Sequence, residues 1–313
     1  MSVKQSTTAS GAARSLARSR PRYGEVAVKV VLLAAALVSV ATTIGIVFAL
    51  VEPTIEFFGS VSIAEFFGST SWGPLFNPPA FGVWPLIVAT LEITLIAVVV
   101  AVPLGLAAAI YLSEYASART RKIFKPVLEV LAGVPTVVFG FFALTFVTPL
   151  LRDLLPFLNL EAKNALSAGL LVGVMIIPIV ASLSEDAMAA VPNGLREGSY
   201  ALGASKMITS VRVVVPAAFS GIVAAVILAI SRAAGETMIV AIAGGFKSVF
   251  TLYPGDEMAT MAAFIAQAGS GDASVGSIAY KTIFAVGSLL FVLTFAMNYL
   301  SARMVQKYRE VYD

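Results

Sequence analysis

Apolar residues occur along this chain in long unbroken blocks, separated by short clusters of charged and turn-forming residues. A helix needs about 20 mainly apolar residues to cross the hydrocarbon of a bilayer. Six blocks reach that length, at approximately 30–51, 84–112, 127–151, 165–183, 216–245 and 282–302. The pattern predicts an all-α integral membrane protein of six transmembrane helices, with one membrane domain over 30–302 and tails over 1–29 and 303–313. The first tail is rich in Ser, Ala, Thr and Arg with little apolar content, which predicts a mobile segment. The 22-residue block after it exceeds the roughly 7 to 15 residues of a signal-peptide core, so it reads as a retained anchor. The second and fifth blocks are longer than one crossing needs, so they tilt, bend at Pro103 or run past the bilayer.

Composition supports lipid as the solvent: 58% of residues are hydrophobic and 12% charged, where soluble domains carry about a quarter charged residues. Mean hydropathy is +0.91. The chain has neither Cys nor His, which excludes thiol chemistry, disulfides, thiolate or imidazole metal sites and histidine acid–base catalysis. Its net charge of +3 does not point to nucleic acid, because Lys and Arg are sorted by loop. Sixteen of them lie before the first block, in the loops at 119–125 and 196–212, and after the sixth block. Only Arg152, Lys163, Lys247 and Lys281 lie in the alternate loops. Positive loops stay in the cytoplasm, so both termini are expected there.

The opposite loops carry different chemistry. Residues 52–83 hold Phe57, Phe58, Phe66, Phe67, Trp72 and Trp84 at its edge, a set that suits either an aromatic belt at the headgroup layer or a ligand surface. In the loop 246–281, the apolar stretch 257–268 predicts a short amphipathic helix that touches a partner outside the cell.

The segment 194–216, between the fourth and fifth blocks, contains EGSYALGASKMITSVRVVVP. Pro192, Asn193 and Gly194 mark a turn, and a short helix is predicted from near Leu195 to about Lys206. Gly203 follows Glu197 by six residues, and Pro216 follows Gly203 by thirteen, where proline suits the first turn of the fifth span. Small residues at 198, 199, 201 and 203 permit close approach of another surface, Glu197 suits a helix N-terminus, and Tyr200 and Leu202 are apolar anchors. A plain surface helix joining two spans is the alternative. The spacing resembles the EAA loop of ABC importer permeases, which reads E-A-A, three residues, G, nine residues, I, one residue, L-P. Glu197, Gly203 and Pro216 hold their places; Val213 and Val215 stand for Ile and Leu, and Gly198 and Ser199 for the two alanines. The resemblance implies a type I importer bundle with a cytoplasmic coupling helix that seats in a separate ATPase. Glu197, Gly198, Ser199, Tyr200, Leu202, Gly203 and Pro216 would then be its coupling residues. No G-x-x-x-x-G-K-[ST] loop is present, so ATP is expected on the partner, with no cofactor or metal on this chain.

Four ionisable residues fall in or beside the apolar blocks: Glu92, Glu129, Arg232 and Glu236. A charge at mid-bilayer costs about 2.5 to 3.5 kcal/mol, so each requires a partner or water. Arg232 and Glu236, four apart, are expected on one helical face. Guanidinium matches phosphate oxygens two at a time, and a carboxylate beside it competes for the same donors, so the pair reads as an anion exchange site. A structural ion pair fastening the fifth span is the alternative. Glu92 and Glu129, nearer span ends, read as structural. Pro135, Pro149, Pro178, Gly133, Gly140, Gly169 and Gly173 predict kinked, closely packed helices.

The run RAAGETM, with VPLGLAAAIYLSEYA at 102–116, LEVLAGVPTVVFGFFAL at 128–144 and MIIPIVASLSEDAMAAVP at 175–192, resembles the PstC type of the phosphate-specific (Pst) branch of ABC permeases. That resemblance implies phosphate passage along Arg232 and Glu236 in a prokaryotic cytoplasmic membrane. It also implies a PstA-like second permease, two PstB-like ATPases and an external PstS-like binding protein. A permease for molybdate, sulfate or an amino acid would share the coupling loop. An ion-coupled secondary carrier would need no ATPase and often shows an inverted repeat, which the sequence does not display. A membrane enzyme would need a nucleophile with its base, or a metal cluster, and neither is apparent.

Overall fold

Backbone amides in lipid must be satisfied within their own segment, and the chain meets that demand with helices almost throughout. The computed structural model describes residues 23–308. The tail expected over 1–29 therefore lies outside the described residues up to position 22, and its last residues are already helical. Helix α1 (Tyr23–Ser60) runs past the expected end at 51 and through Pro53. The described residues divide into two units, one ending at Ala49 and the other beginning at Leu50. In the first unit, α1 presents apolar side chains outward on every side, as a helix surrounded by lipid does.

The second unit opens on α2 (Ile63–Gly68), where Ser62 Oγ accepts from the amide of Glu65, and on a two-strand hairpin, β1 (Trp72–Gly73) and β2 (Ala80–Phe81), with Trp72 opposite Phe81. Phe57, Phe66, Trp72 and Phe81 are buried and meet edge to face. Phe57 and Phe66 are thus core residues rather than belt or ligand surface; Trp72, also buried, lines a cavity of about 390 Å³, and Phe67 and Trp84 remain exposed.

The centre of this unit is α3 (Trp84–Ile110), which ends in a π-turn over Tyr111–Tyr115, against α7 (Ala165–Ala189). Small residues let the two backbones approach closely. A Cβ on Gly105 would lie 2.7 Å from Val180 Cβ, and one on Gly169 would lie 2.7 Å from Ile96 Cβ.

Between α3 and α7 the chain departs from the expected third span at 127–151. Residues 118–132 form a separate helix, α4 (Ala118–Ala132), with no buried residue; the crossing segment is α5 (Thr136–Phe142), a π-turn, and α6 (Thr148–Leu154). Pro135 explains the break, since it lacks an N–H and drives the residue before it out of the helical region. Five charged residues, Arg119, Arg121, Lys122, Lys125 and Glu129, also keep α4 out of hydrocarbon.

The fifth block is likewise broken. After α7 come α8 (Asn193–Ala201), α9 (Lys206–Thr209), a π-turn, α10 (Val215–Ala217) and α11 (Phe219–Ala234). The helical run 206–217 bends by 72° into α11. Helix α11 ends at Ala234, and the rest of the expected span 216–245 is a short second segment closing in a π-turn over Val240–Gly244. Helix α12 (Met261–Gln267) occupies part of the expected 257–268 helix. Helix α13 (Ile278–Tyr308) extends past 302 into the expected C-terminal tail, of which 309–313 lie outside the described residues. Five helices among the described residues are long and apolar enough to cross a membrane, and counting the bent pair as one span brings the number to six.

Candidate functional site: a tethered arginine and an exposed elbow

Arg232 occupies the last turn of α11, and Glu236 lies in the break just beyond it. The expectation of one continuous helical face is therefore corrected: the pair bridges the end of one helical segment and the start of the next. Arg232 Nη1 donates to Glu236 Oε2 at 2.7 Å. Glu236 Oε1 accepts from the amides of Met238 at 3.1 Å and Ile239 at 3.4 Å. The buried carboxylate thus caps the second segment with one oxygen and tethers the guanidinium with the other. Its side chain is 2% exposed, that of Arg232 44%. Among the described residues the guanidinium makes no other protein hydrogen bond, so Nε and Nη2 are left for another acceptor.

Arg232 lines a cavity of about 450 Å³ where α4, α7 and α11 meet, with Pro178, Ser182 and Leu228 on its walls. Glu129 of α4 lines the same cavity. Sequence spacing sets Glu129 apart from Arg232, because only the break at Pro135 folds α4 back alongside α7. Glu92, on α3, does not line this cavity; its Oε2 is buried without a hydrogen-bond partner among the described residues.

The residues of the EAA-like loop form an elbow of two short helices rather than one helix from Leu195 to Lys206. Gly203 takes φ +81°, a left-handed conformation that glycine reaches without strain. The amides of Leu202, Gly203 and Ala204 then donate to the carbonyls of Gly198, Tyr200 and Ser199, closing the end of α8. Ser205 Oγ caps α9 by accepting from the amide of Ile208. Glu197 lies in the middle of α8, not at its N-terminus, and is exposed. Ser199 Oγ shares a 2.8 Å hydrogen bond with Thr209 Oγ1, which holds the two helices of the elbow together. Leu202, at the tip, is 90% exposed, and Met207, Ile208 and Tyr200 are exposed around it. Gly198 faces open space, and Pro216 sits in α10 just before the 72° bend.

Beside the elbow, α4 is held to the end of α7 by charge. Glu185, fully buried, meets both Arg121 and Lys125, and Lys125 Nζ also donates to Asp186 at 2.5 Å.

A second set of charges ties the loop before α7 to the loop after residue 245. Glu161 Oε2 accepts from the amide of Glu257 at 2.9 Å, and its Oε1 accepts from Lys247 Nζ at 3.1 Å. The Glu257 amide, and then Lys247, hold the Glu161 carboxyl below its ordinary pKa, while the hydrogen bond to Glu161 raises that of Lys247. A depressed carboxyl pKa stabilises the folded loop above the ordinary carboxylate range and loses that contribution as pH falls through the depressed value. The raised lysine contributes below its ordinary pKa and loses its share as pH rises through the raised value. Protection of the amides in 246–256, their exchange relative to the intrinsic rate at each pH, should therefore be greatest between those limits. Glu161→Gln should remove the acid limb, which hydrogen-exchange mass spectrometry against pH would detect.

Apolar helices of spanning length, one of them broken, with an exposed elbow between two of them, fit an integral membrane component. The chain matches the model of the family "Binding-protein-dependent transport system inner membrane component" over residues 101–306, and it belongs to that family. It is 36% identical over 293 residues to the "Probable ABC transporter permease protein YqgH" of Bacillus subtilis, covering 91% of this chain and 94% of that one. It is 36% identical over 248 residues to the "Phosphate transport system permease protein PstC 1" of Mycobacterium tuberculosis, covering 72% and 73% of the two chains. The inward-facing MetNI methionine ABC transporter superposes with a TM-score of 0.53 at 20% identity, over 73% of this chain and 95% of that one. The fold is that of type I ABC importer permeases.

Proposed function

We propose that this chain is the PstC-type permease subunit of an ATP-driven importer of inorganic phosphate. The observation that carries the proposal is the guanidinium of Arg232, held by one nitrogen to a buried carboxylate, with its other donors unpartnered among the described residues and its side chain nearly half exposed beside a cavity between three helices. A planar fork of donors fits two oxygens of a phosphate at once. Glu236 makes the capture reversible. When Arg232 turns to the anion, Glu236 keeps the amides of Met238 and Ile239, so its charge is not left without hydrogen bonds. Its negative charge repels the bound anion and reclaims the arginine once the path reopens. The phosphate-transport relative and the run RAAGETM support phosphate as the solute.

ATP is hydrolysed on two PstB-like cytoplasmic subunits, against which the elbow of α8 and α9 docks through Tyr200 and Leu202. Both termini face the cytoplasm, a PstA-like permease completes the pathway, and a PstS-like binding protein delivers phosphate from outside. The bundle alternates its access to the two sides as the ATPases close and open. The test is radiolabelled phosphate uptake into vesicles holding the assembled complex and internal ATP. Uptake should need ATP and be outcompeted by unlabelled phosphate but not by sulfate, molybdate or amino acids. Competition by one of those solutes in place of phosphate would reassign the substrate, and uptake without ATP would refute the proposal.

A further inference from the structure

Helix α8 contributes no buried residue, so its grip on the rest of the protein must come from a few polar contacts. One side chain supplies most of them. Arg196, in the middle of α8, is 15% exposed, and its guanidinium reaches beneath the elbow. Nη2 donates to Glu114 Oε1 at 2.9 Å and to the carbonyl of Met188 at 2.8 Å; Nη1 donates to the carbonyl of Val191 at 2.6 Å and to Asn193 Oδ1 at 3.5 Å. Nε completes the fork on Glu114, at 3.3 and 3.4 Å from its two oxygens. Glu114, whose side chain is 4% exposed, lies in the π-turn that ends α3, and Met188 and Val191 lie at the end of α7 and just beyond it. Arg196 is thereby joined to the ends of the two helices that form the centre of the bundle.

We infer that Arg196, seated on Glu114, is the positioning residue that converts displacement of α8 into displacement of α3 and α7. The inference rests on the reading of α8 as the ATPase-docking helix. A guanidinium suits a stiff link because its donors are fixed in one plane, and here they are directed at acceptors on two different helices. Burying an ion pair is a poor way to gain stability, whereas a buried pair whose loss leaves a charge uncompensated fixes one geometry over others. The charge count along the sequence registers Arg196 only as one more loop cation, since nothing in its spacing points to Glu114, 82 positions earlier.

The experiment measures phosphate uptake and ATP hydrolysis in the same vesicles, with the complete transporter carrying Arg196→Gln or Glu114→Gln. The expected result is a fall of about tenfold in phosphate moved per ATP hydrolysed, within the range of coupling between distant sites. A ratio equal to that of the unaltered transporter would overturn the inference. Should Arg196→Gln fail to assemble, Glu114→Gln decides alone. It is isosteric and leaves the bonds from Arg196 to Met188 and Val191 in place, and an unchanged ratio there overturns the link. If the unaltered transporter itself moves phosphate without hydrolysing ATP, the docking reading falls first and the link falls with it.

Discussion

Arg232→Gln is expected to abolish phosphate uptake while the transporter still assembles. Arg232 is the only cationic residue among those that line the cavity between α4, α7 and α11. Removing one partner of a desolvated, hydrogen-bonded charge pair costs about 2 to 5 kcal/mol, and the other ionisable residue lining the cavity, Glu129, offers a phosphate no positive charge in its place. Folding should survive. Glu236 keeps its two amide donors, and the arginine side chain is nearly half exposed. Arg232→Lys should retain a fraction of uptake, since lysine offers a point charge without the planar fork. Uptake in vesicles, with co-elution of the subunits as the control for assembly, checks both variants; normal uptake by Arg232→Gln would remove Arg232 from the pathway.

Leu202→Asp is expected to release the ATPase and with it ATP-driven uptake. At 90% exposure Leu202 supports no packing within this chain, so the substitution should leave the fold unchanged. At a docked interface the same position would become an anchor, and losing an apolar anchor while burying a carboxylate costs at least about 2 kcal/mol, roughly a thirtyfold loss of affinity. Copurification of the ATPase with this variant should fail at concentrations that hold the unaltered complex together. Gly203 explains why the tip is so prominent: its left-handed turn stops α8 at the residue where the elbow changes direction.

The apolar blocks make the membrane fold legible, because length and hydropathy alone decide whether a helix can cross. The breaks are less legible. Pro135 appears in the sequence as a kink, yet it ends α4 altogether and returns Glu129 to the cavity that Arg232 lines. Gly235 and Thr237 sit in an apolar run with no strong breaker, so the separation of Arg232 and Glu236 onto two segments has no clear local signal; Glu236 itself makes the second segment possible by capping it. Glu197, Gly198, Tyr200 and Leu202 stand on the exposed elbow, whereas Ser199 and Gly203 shape it from within. Arg196 escapes sequence reading for a different reason: its role depends on acceptors brought together by tertiary folding, two of them backbone carbonyls that carry no side-chain signature.

The absence of cysteine makes one position a clean probe of the whole scheme. Leu202→Cys would carry a single exposed thiol at the tip of the elbow, and labelling with a membrane-impermeant maleimide reports which side of the membrane it faces. The account predicts labelling in inside-out vesicles stripped of the ATPase, protection when the ATPase is restored, and none in intact cells. Labelling from the cell exterior, or labelling indifferent to the ATPase, would contradict it.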